Sequence, residues 1–275
     1  MSFLQVPGAR LYYETRGRGP VLVLVPGANG DARVFASVAD RLAEHYTVIT
    51  YDRRGFSRSA LIGAQDYANR LRTDADDVRA LVEHAGQGPA TVFGTSSGGV
   101  IVLELLARHP GAVRAVASYE PAAMRLLPDA ERWLGFFSDL YDTYRRSGVA
   151  PALAEFRERT FSPADRALMA RATDPEANPH AHANATYWFE RELLPYTSVE
   201  LDVTALAAHA ERLLLVSGDQ SRGFPNYRVN TELGRRLGRE VVELPGGHTG
   251  FAVHPEEFAD RLVRALRSEP SGTPG

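Results

Sequence analysis

The sequence contains no cysteine and no lysine. The first absence excludes disulfides, thiolate nucleophiles, cysteine-ligated zinc and iron–sulfur clusters. The second makes all 31 basic residues arginine. It excludes Schiff-base chemistry, pyridoxal phosphate anchoring and a P-loop lysine. We attribute the missing lysine to codon bias, not to function. No apolar run approaches the length of a membrane span, and no block of like charge stands out. With 34 acidic residues against 31 basic ones the net charge is -3, which argues against a basic nucleic-acid-binding face. Residues 1–7 lack a basic stretch followed by an apolar core, so no signal peptide is read there. We therefore expect a cytoplasmic protein, monomer or homodimer, whose partner is a small molecule and neither nucleic acid nor membrane.

What is present is a chain of 275 residues with strand and helix patterns in alternation. That length allows one large domain, or one domain with an inserted lobe. Short apolar runs bounded by turn residues lie at 21–25, 46–51, 90–93, 113–119, 213–217 and 240–244. Most are continuous, the pattern of strands covered on both faces of a parallel sheet. An earlier pair, near 3–6 and 11–15, reads as an edge hairpin. Helical spacing follows Asp31 (Val34, Phe35, Val38, Ala39, Leu42) and fills 66–84, stopped by Gly86 and Gly88. Residues 97–108 are apolar nearly all round, which marks a buried helix, and a last helix covers about 255–267. The alternation predicts a doubly wound α/β sheet.

Residues 122–209 break the alternation. They hold helical segments cut by prolines and eleven of the chain's aromatics. We read them as a helical lobe inserted between two sheet strands, with core segments 1–121 and 210–275 on either side. Trp133, Phe136, Phe137, Leu140, Tyr141 and Tyr144 form a stripe at helical spacing, suited to lobe core and to ligand wall. Trp133, Phe137, Tyr141 and Trp188, with Asn29 from the core, are the candidate substrate contacts. The Pro/Gly/Ser-rich tail 269–275 is expected to be disordered.

Three motifs carry chemistry. Gly94-Thr95-Ser96-Ser97-Gly98 follows a strand and opens a helix, matching Gly-x-Ser-x-Gly with Ser96 at its centre. Such a turn holds the nucleophile in a strained conformation that only small residues two positions away tolerate. Ser97 is the rival centre, but it would put Thr95 where glycine is needed. His248 lies in a glycine-rich loop after the last strand, and an imidazole within reach is the base that a serine hydroxyl requires. Val25-Pro26-Gly27-Ala28-Asn29-Gly30 is a glycine-rich turn after the first long strand. An oxyanion hole needs two amide donors aimed at one point, and we assign them to the N–H groups of Ala28 and Ser97. His180 and His182 lack a carboxylate at ligand spacing, so no metal site is expected.

In these motifs and their order the chain resembles the α/β-hydrolases, in particular the capped serine-hydrolase subgroup. The resemblance also rests on Asp52-Arg53-Arg54-Gly55-Phe56-Ser57-Arg58-Ser59, read as a structural turn. It implies a mostly parallel eight-stranded sheet flanked by helices, a helical cap after strand 6, a serine–histidine–acid triad and no cofactor. The acid departs from the common pattern. Gly218-Asp219-Gln220-Ser221 puts Ser221 where many relatives carry aspartate, and Asp219 comes two residues early. Glu120, at the carboxyl end of the sixth strand and followed by Pro121, is the favoured acid, as in some capped relatives. Asp219 is the second candidate.

The function expected is acyl transfer to water from an ester, thioester or lactone of a small to medium apolar substrate, through an acyl-enzyme. Serine instead of aspartate at position 96 argues against a dehalogenase or epoxide hydrolase. Two alternatives remain open. One is non-hydrolytic use of the triad, as in a lyase, carbon–carbon hydrolase, perhydrolase or biosynthetic cyclase. The other is a small-molecule receptor with little turnover.

Overall fold

The computed structural model describes residues 2–174 and 176–268. The tail 269–275 lies outside the described residues. The strands are β1 (Ser2–Val6), β2 (Ala9–Arg16), β3 (Val21–Val25), β4 (Thr47–Tyr51), β5 (Ala60–Leu61), β6 (Ala90–Thr95), β7 (Val113–Tyr119), β8 (Leu213–Gly218) and β9 (Val241–Leu244). Eight of them form one sheet in the order β1-β2-β4-β3-β6-β7-β8-β9, and the two-residue β5 pairs beside β2. The first two strands form the expected edge hairpin. From β4 onward across the sheet every pairing is parallel.

The continuous apolar runs explain the central position of their strands. All five residues of β3 are buried. Val21, Val23 and Val25 join one core cluster and Leu22 and Leu24 the other, one on each face of the sheet. Burying a side chain of this size is worth roughly 1.5–3 kcal/mol, so a strand with two apolar faces settles only between two helical layers.

Helices α1 (Ala36–Leu42), α2 (Arg70–Ala85) and α3 (Ser97–Arg108) connect the first strands. Between β7 and β8 come α4 (Ala130–Ser147), α5 (Val149–Thr160), α6 (Pro163–Ala172), α7 (Ala181–Arg191), α8 (Leu193–Thr197) and α9 (Val203–Ala207), without an intervening strand among the described residues. The chain ends with α10 (Pro225–Leu237), α11 (Gly250–Val253) and α12 (Pro255–Ser268). Helices α1 and α12 cover one face, through Val38, Leu42, Phe258 and Leu262. Helices α2, α3 and α10 cover the other, through Val78, Leu81, Val102, Val229 and Leu233. No helix among the described residues is long and apolar enough to cross a membrane.

Helix α10 is absent from the sequence reading, and its chemistry explains why. Two of its inward positions are asparagines. Asn230 Nδ2 donates to the carbonyls of Ser118 and Val216, at 3.0 and 2.7 Å. Asn226 Nδ2 donates to the Glu120 carbonyl at 3.0 Å. Buried amides serving strand ends interrupt the apolar stripe of Val229 and Leu233 that periodicity would detect.

The Asp52–Ser59 turn ties the inserted helices to the sheet. Arg53, fully buried, pairs with the equally buried Glu192 at the start of α8. Arg70 on α2 reaches the other Glu192 oxygen at 3.0 Å, and Arg54 pairs with Asp77. Ser57 and Asn184 of α7 exchange two hydrogen bonds, at 2.9 and 2.8 Å.

Candidate active site

Ser96 sits between the end of β6 and the first turn of α3. Its φ of 55° and ψ of -118° lie in a region that residues with a side chain seldom adopt. Its neighbours require this geometry: a Cβ on Gly94 would overlap the Gly98 carbonyl, and one on Gly98 would overlap the Val25 carbonyl. The Ser96 N–H is held by the Tyr119 carbonyl at 2.9 Å. The side chain thus stands at the N-terminus of α3, where the helix presents free amides and the positive end of its dipole.

The Pro26–Gly30 turn lies against this serine because β3 and β6 are paired, with Val25 opposite Gly94. A Cβ on Gly27 would come within 3.0 Å of Ser96 Cβ. The N–H groups of Ala28 and Ser97 have no hydrogen-bond partner among the described residues.

His248 follows β9 in the loop before α11 and is 5% exposed. Its Nδ1 lies 2.6 Å from Glu120 Oε2. The second oxygen, Glu120 Oε1, accepts from the Gly218 N–H at 2.9 Å. Glu120 is 1% exposed and has a φ of 46°, so the chain leaving β7 makes a left-handed kink at this residue. With Nδ1 bound to a carboxylate, Nδ1 carries the proton and Nε2 presents a lone pair. Nε2 has no partner among the described residues.

Asp219 is placed differently. It is exposed, and its Oδ1 accepts from the Gly246 N–H at 3.0 Å, bracing the turn two residues before His248. Ser221 is buried and makes no hydrogen bond to the imidazole.

Asp165, on α6, was not singled out in the sequence. Its Oδ1 accepts from the Thr249 N–H at 2.8 Å and the Thr249 hydroxyl at 2.7 Å, and its Oδ2 accepts from Ser162 Oγ at 2.6 Å. Burial alone would raise its pKa, but these hydrogen bonds and the nearby imidazole hold it below the ordinary aspartate value of 3.8. Ser162-Pro163-Ala164-Asp165 reads locally as a helix-start signature. Its partner 84 residues away leaves no local trace.

A cavity of about 320 Å³ joins these parts. Ser96, His248, Ala28 and Asn29 line one side, and Leu153, Phe156, Phe161, Met169, Ala185 and Trp188 of the inserted helices line the other. Phe137 lines a small adjoining space together with Ser96, Ser97 and Trp188. Trp133 and Tyr141 line neither space. Trp133 packs edge-on against Phe136, and Tyr141 sits beside Tyr144, so this part of the stripe serves packing within the helices.

The family model described as "alpha/beta hydrolase fold" matches residues 20–255. The chain belongs to the α/β-hydrolase family. This α/β-hydrolase is 38% identical to the uncharacterized hydrolase YraK of Bacillus subtilis, over 98% of this chain and 97% of that one. It is 28% identical to a zearalenone hydrolase of Bionectria ochroleuca, over 94% and 95%. Among solved structures, the enol-lactonase from Burkholderia xenovorans shares the fold with a TM-score of 0.73 at 21% identity, over 97% of this chain and all of that one.

Proposed function

We propose that this α/β-hydrolase is a serine hydrolase that cleaves an ester, thioester or lactone through an acyl-enzyme. The observation that carries the proposal is the 2.6 Å contact between Glu120 Oε2 and His248 Nδ1, in a residue that shares a cavity wall with Ser96.

In this reading Ser96 Oγ attacks the substrate carbonyl while His248 Nε2 takes its proton. Glu120 fixes the ring and stabilises the imidazolium that forms. The amides of Ala28 and Ser97 hold the carbonyl oxygen as it becomes an oxyanion, and each such donor is worth about 3 kcal/mol of barrier. His248 returns the proton to the leaving oxygen or sulfur. The same imidazole then takes a proton from water as the water attacks the acyl-enzyme, and hands that proton to Ser96 Oγ as the acid is released.

Helices α4–α9 act as the cap over the serine, with residues 122–209 as the inserted unit. Trp188, Phe137 and Asn29 contact the substrate. The cavity volume lies at the small end of the range for small-molecule sites, which favours small to medium acyl groups. The relative from Bionectria ochroleuca is named a zearalenone hydrolase, so zearalenone joins the simple esters as a substrate to assay.

The test is hydrolysis of p-nitrophenyl acetate and butyrate by the wild type and Ser96→Ala. Loss of turnover in Ser96→Ala is the expected result, and turnover that persists removes the serine. No turnover by the wild type, with tight binding of an apolar ligand, would favour a receptor.

A further inference from the structure

Arg157 of α5 lines the same cavity as Ser96 and His248, and no carboxylate of the protein pairs with it among the described residues. Its one hydrogen bond runs from Nη1 to Thr173 Oγ1, at 3.3 Å. That leaves Nε and Nη2, the edge of the guanidinium that grips a carboxylate with two parallel hydrogen bonds, without a partner in the protein.

Another arginine of the cavity wall and the three buried arginines Arg53, Arg54 and Arg70 are treated differently. Arg33, which lines the same cavity, is held by Asp31 at 2.5 Å and also donates to Asn178. Arg53, Arg54 and Arg70 each face a buried carboxylate. Desolvation lowers the Arg157 pKa with no acidic neighbour to offset it. The cavity lining contains no aspartate or glutamate, so nothing on the wall neutralises this charge. Arg157 is half-buried, and a guanidinium partly withdrawn from water without a counter-ion gains from a ligand that brings one.

We propose that Arg157 binds a carboxylate carried by the substrate, so that the preferred substrates are esters, thioesters or lactones with a free carboxylate away from the bond attacked. The inference rests on the serine-hydrolase reading and adds a substrate class to it. A single guanidinium offers one positive charge and one planar two-hydrogen edge, which match a carboxylate more closely than a phosphate dianion. The apolar wall of Leu153, Phe156 and Met169 then covers the carbon chain between the two ends.

The experiment compares p-nitrophenyl hydrogen glutarate with its neutral counterpart p-nitrophenyl pentanoate, in wild type, Arg157→Gln and Arg157→Lys. The expected result is a kcat/KM ratio, anionic over neutral, that falls at least about tenfold in Arg157→Gln, the scale of one hydrogen-bonded charge pair, mainly through KM. Arg157→Lys, which keeps the charge and loses the fork, lies between and serves where the glutamine variant folds poorly. An equal ratio in wild type and both variants overturns the inference while leaving the serine reading intact. Calorimetry with N-butyl glutaramate, a monoamide that resists hydrolysis, separates the two ideas further. Should neither ester be turned over, the serine reading fails, and the amide alone decides the role of Arg157. Binding about tenfold weaker in Arg157→Gln supports it, and unchanged binding overturns it.

Discussion

Glu120 meets His248 across 128 positions of sequence, with Oε2 2.6 Å from Nδ1. The carboxylate does not swing freely, because the Gly218 amide occupies its other oxygen. Three strand ends therefore converge: β7 supplies the acid, β8 the amide that pins it, and the loop after β9 the imidazole. This is the carboxyl edge of a parallel sheet, where open α/β folds build their sites.

That pinning separates the two acid candidates. Glu120→Gln should lower the acylation rate on the order of 10³- to 10⁴-fold, because the amide no longer selects the productive tautomer. Asp219→Asn should change it by less than about threefold. Pre-steady-state release of p-nitrophenol measures both, and the reverse ranking would reassign the acid.

Asp165 gives a pH signature. Its native pKa is depressed below 3.8, so its stabilising contribution is fully present above about pH 4 and is lost as pH falls through the native value. Asp165→Asn should therefore be less stable than wild type near neutrality, by about 1–3 kcal/mol. The gap should close on acidification below pH 4. Urea unfolding at a series of pH values reads this directly, and a gap that stays constant would contradict it.

The buried pair of Arg53 and Glu192 makes a harsher prediction. Removing one partner leaves an uncompensated charge in the interior, so Glu192→Ala should cost about 3–5 kcal/mol. The double variant Arg53→Met with Glu192→Leu should recover a large part of that loss. Denaturant midpoints for the wild type and these two variants decide the matter, and a double variant no more stable than Glu192→Ala would rule the coupling out.

Gly98→Ala tests the turn itself. The added methyl meets the Val25 carbonyl, which belongs to a strand buried along its whole length and cannot withdraw. The change should destabilise by about 1–3 kcal/mol and should depress catalysis further by moving Ser96. Thermal melting with parallel esterase assays checks both effects. Full stability would mean that the turn has slack the structure does not suggest.

Features whose cause is local were legible in the sequence. The strands at 21–25 and 113–119 announce themselves because both faces are apolar, and α3 because it is buried all round. The Ser96 turn is legible because steric limits on its own flanking glycines define it. Features whose cause is distant were not legible. Two-residue β5 is too short to show a pattern, and α10 hides behind Asn226 and Asn230. Asp165 acts through Thr249, and its sequence neighbours explain it equally well as a helix start. In the aromatic stripe, periodicity identified the helix but not the facing, so Trp133 and Trp188 looked equivalent although only Trp188 lines the cavity.

The central claim is that the hydroxyl of residue 96 attacks the substrate. Labelling with a fluorophosphonate, followed by peptide mapping, tests it without knowledge of the natural substrate. The account predicts a single adduct on the peptide carrying Ser96, formed slowly in Glu120→Gln and absent from Ser96→Ala. An adduct on another residue, or equal labelling of Ser96→Ala, would contradict it.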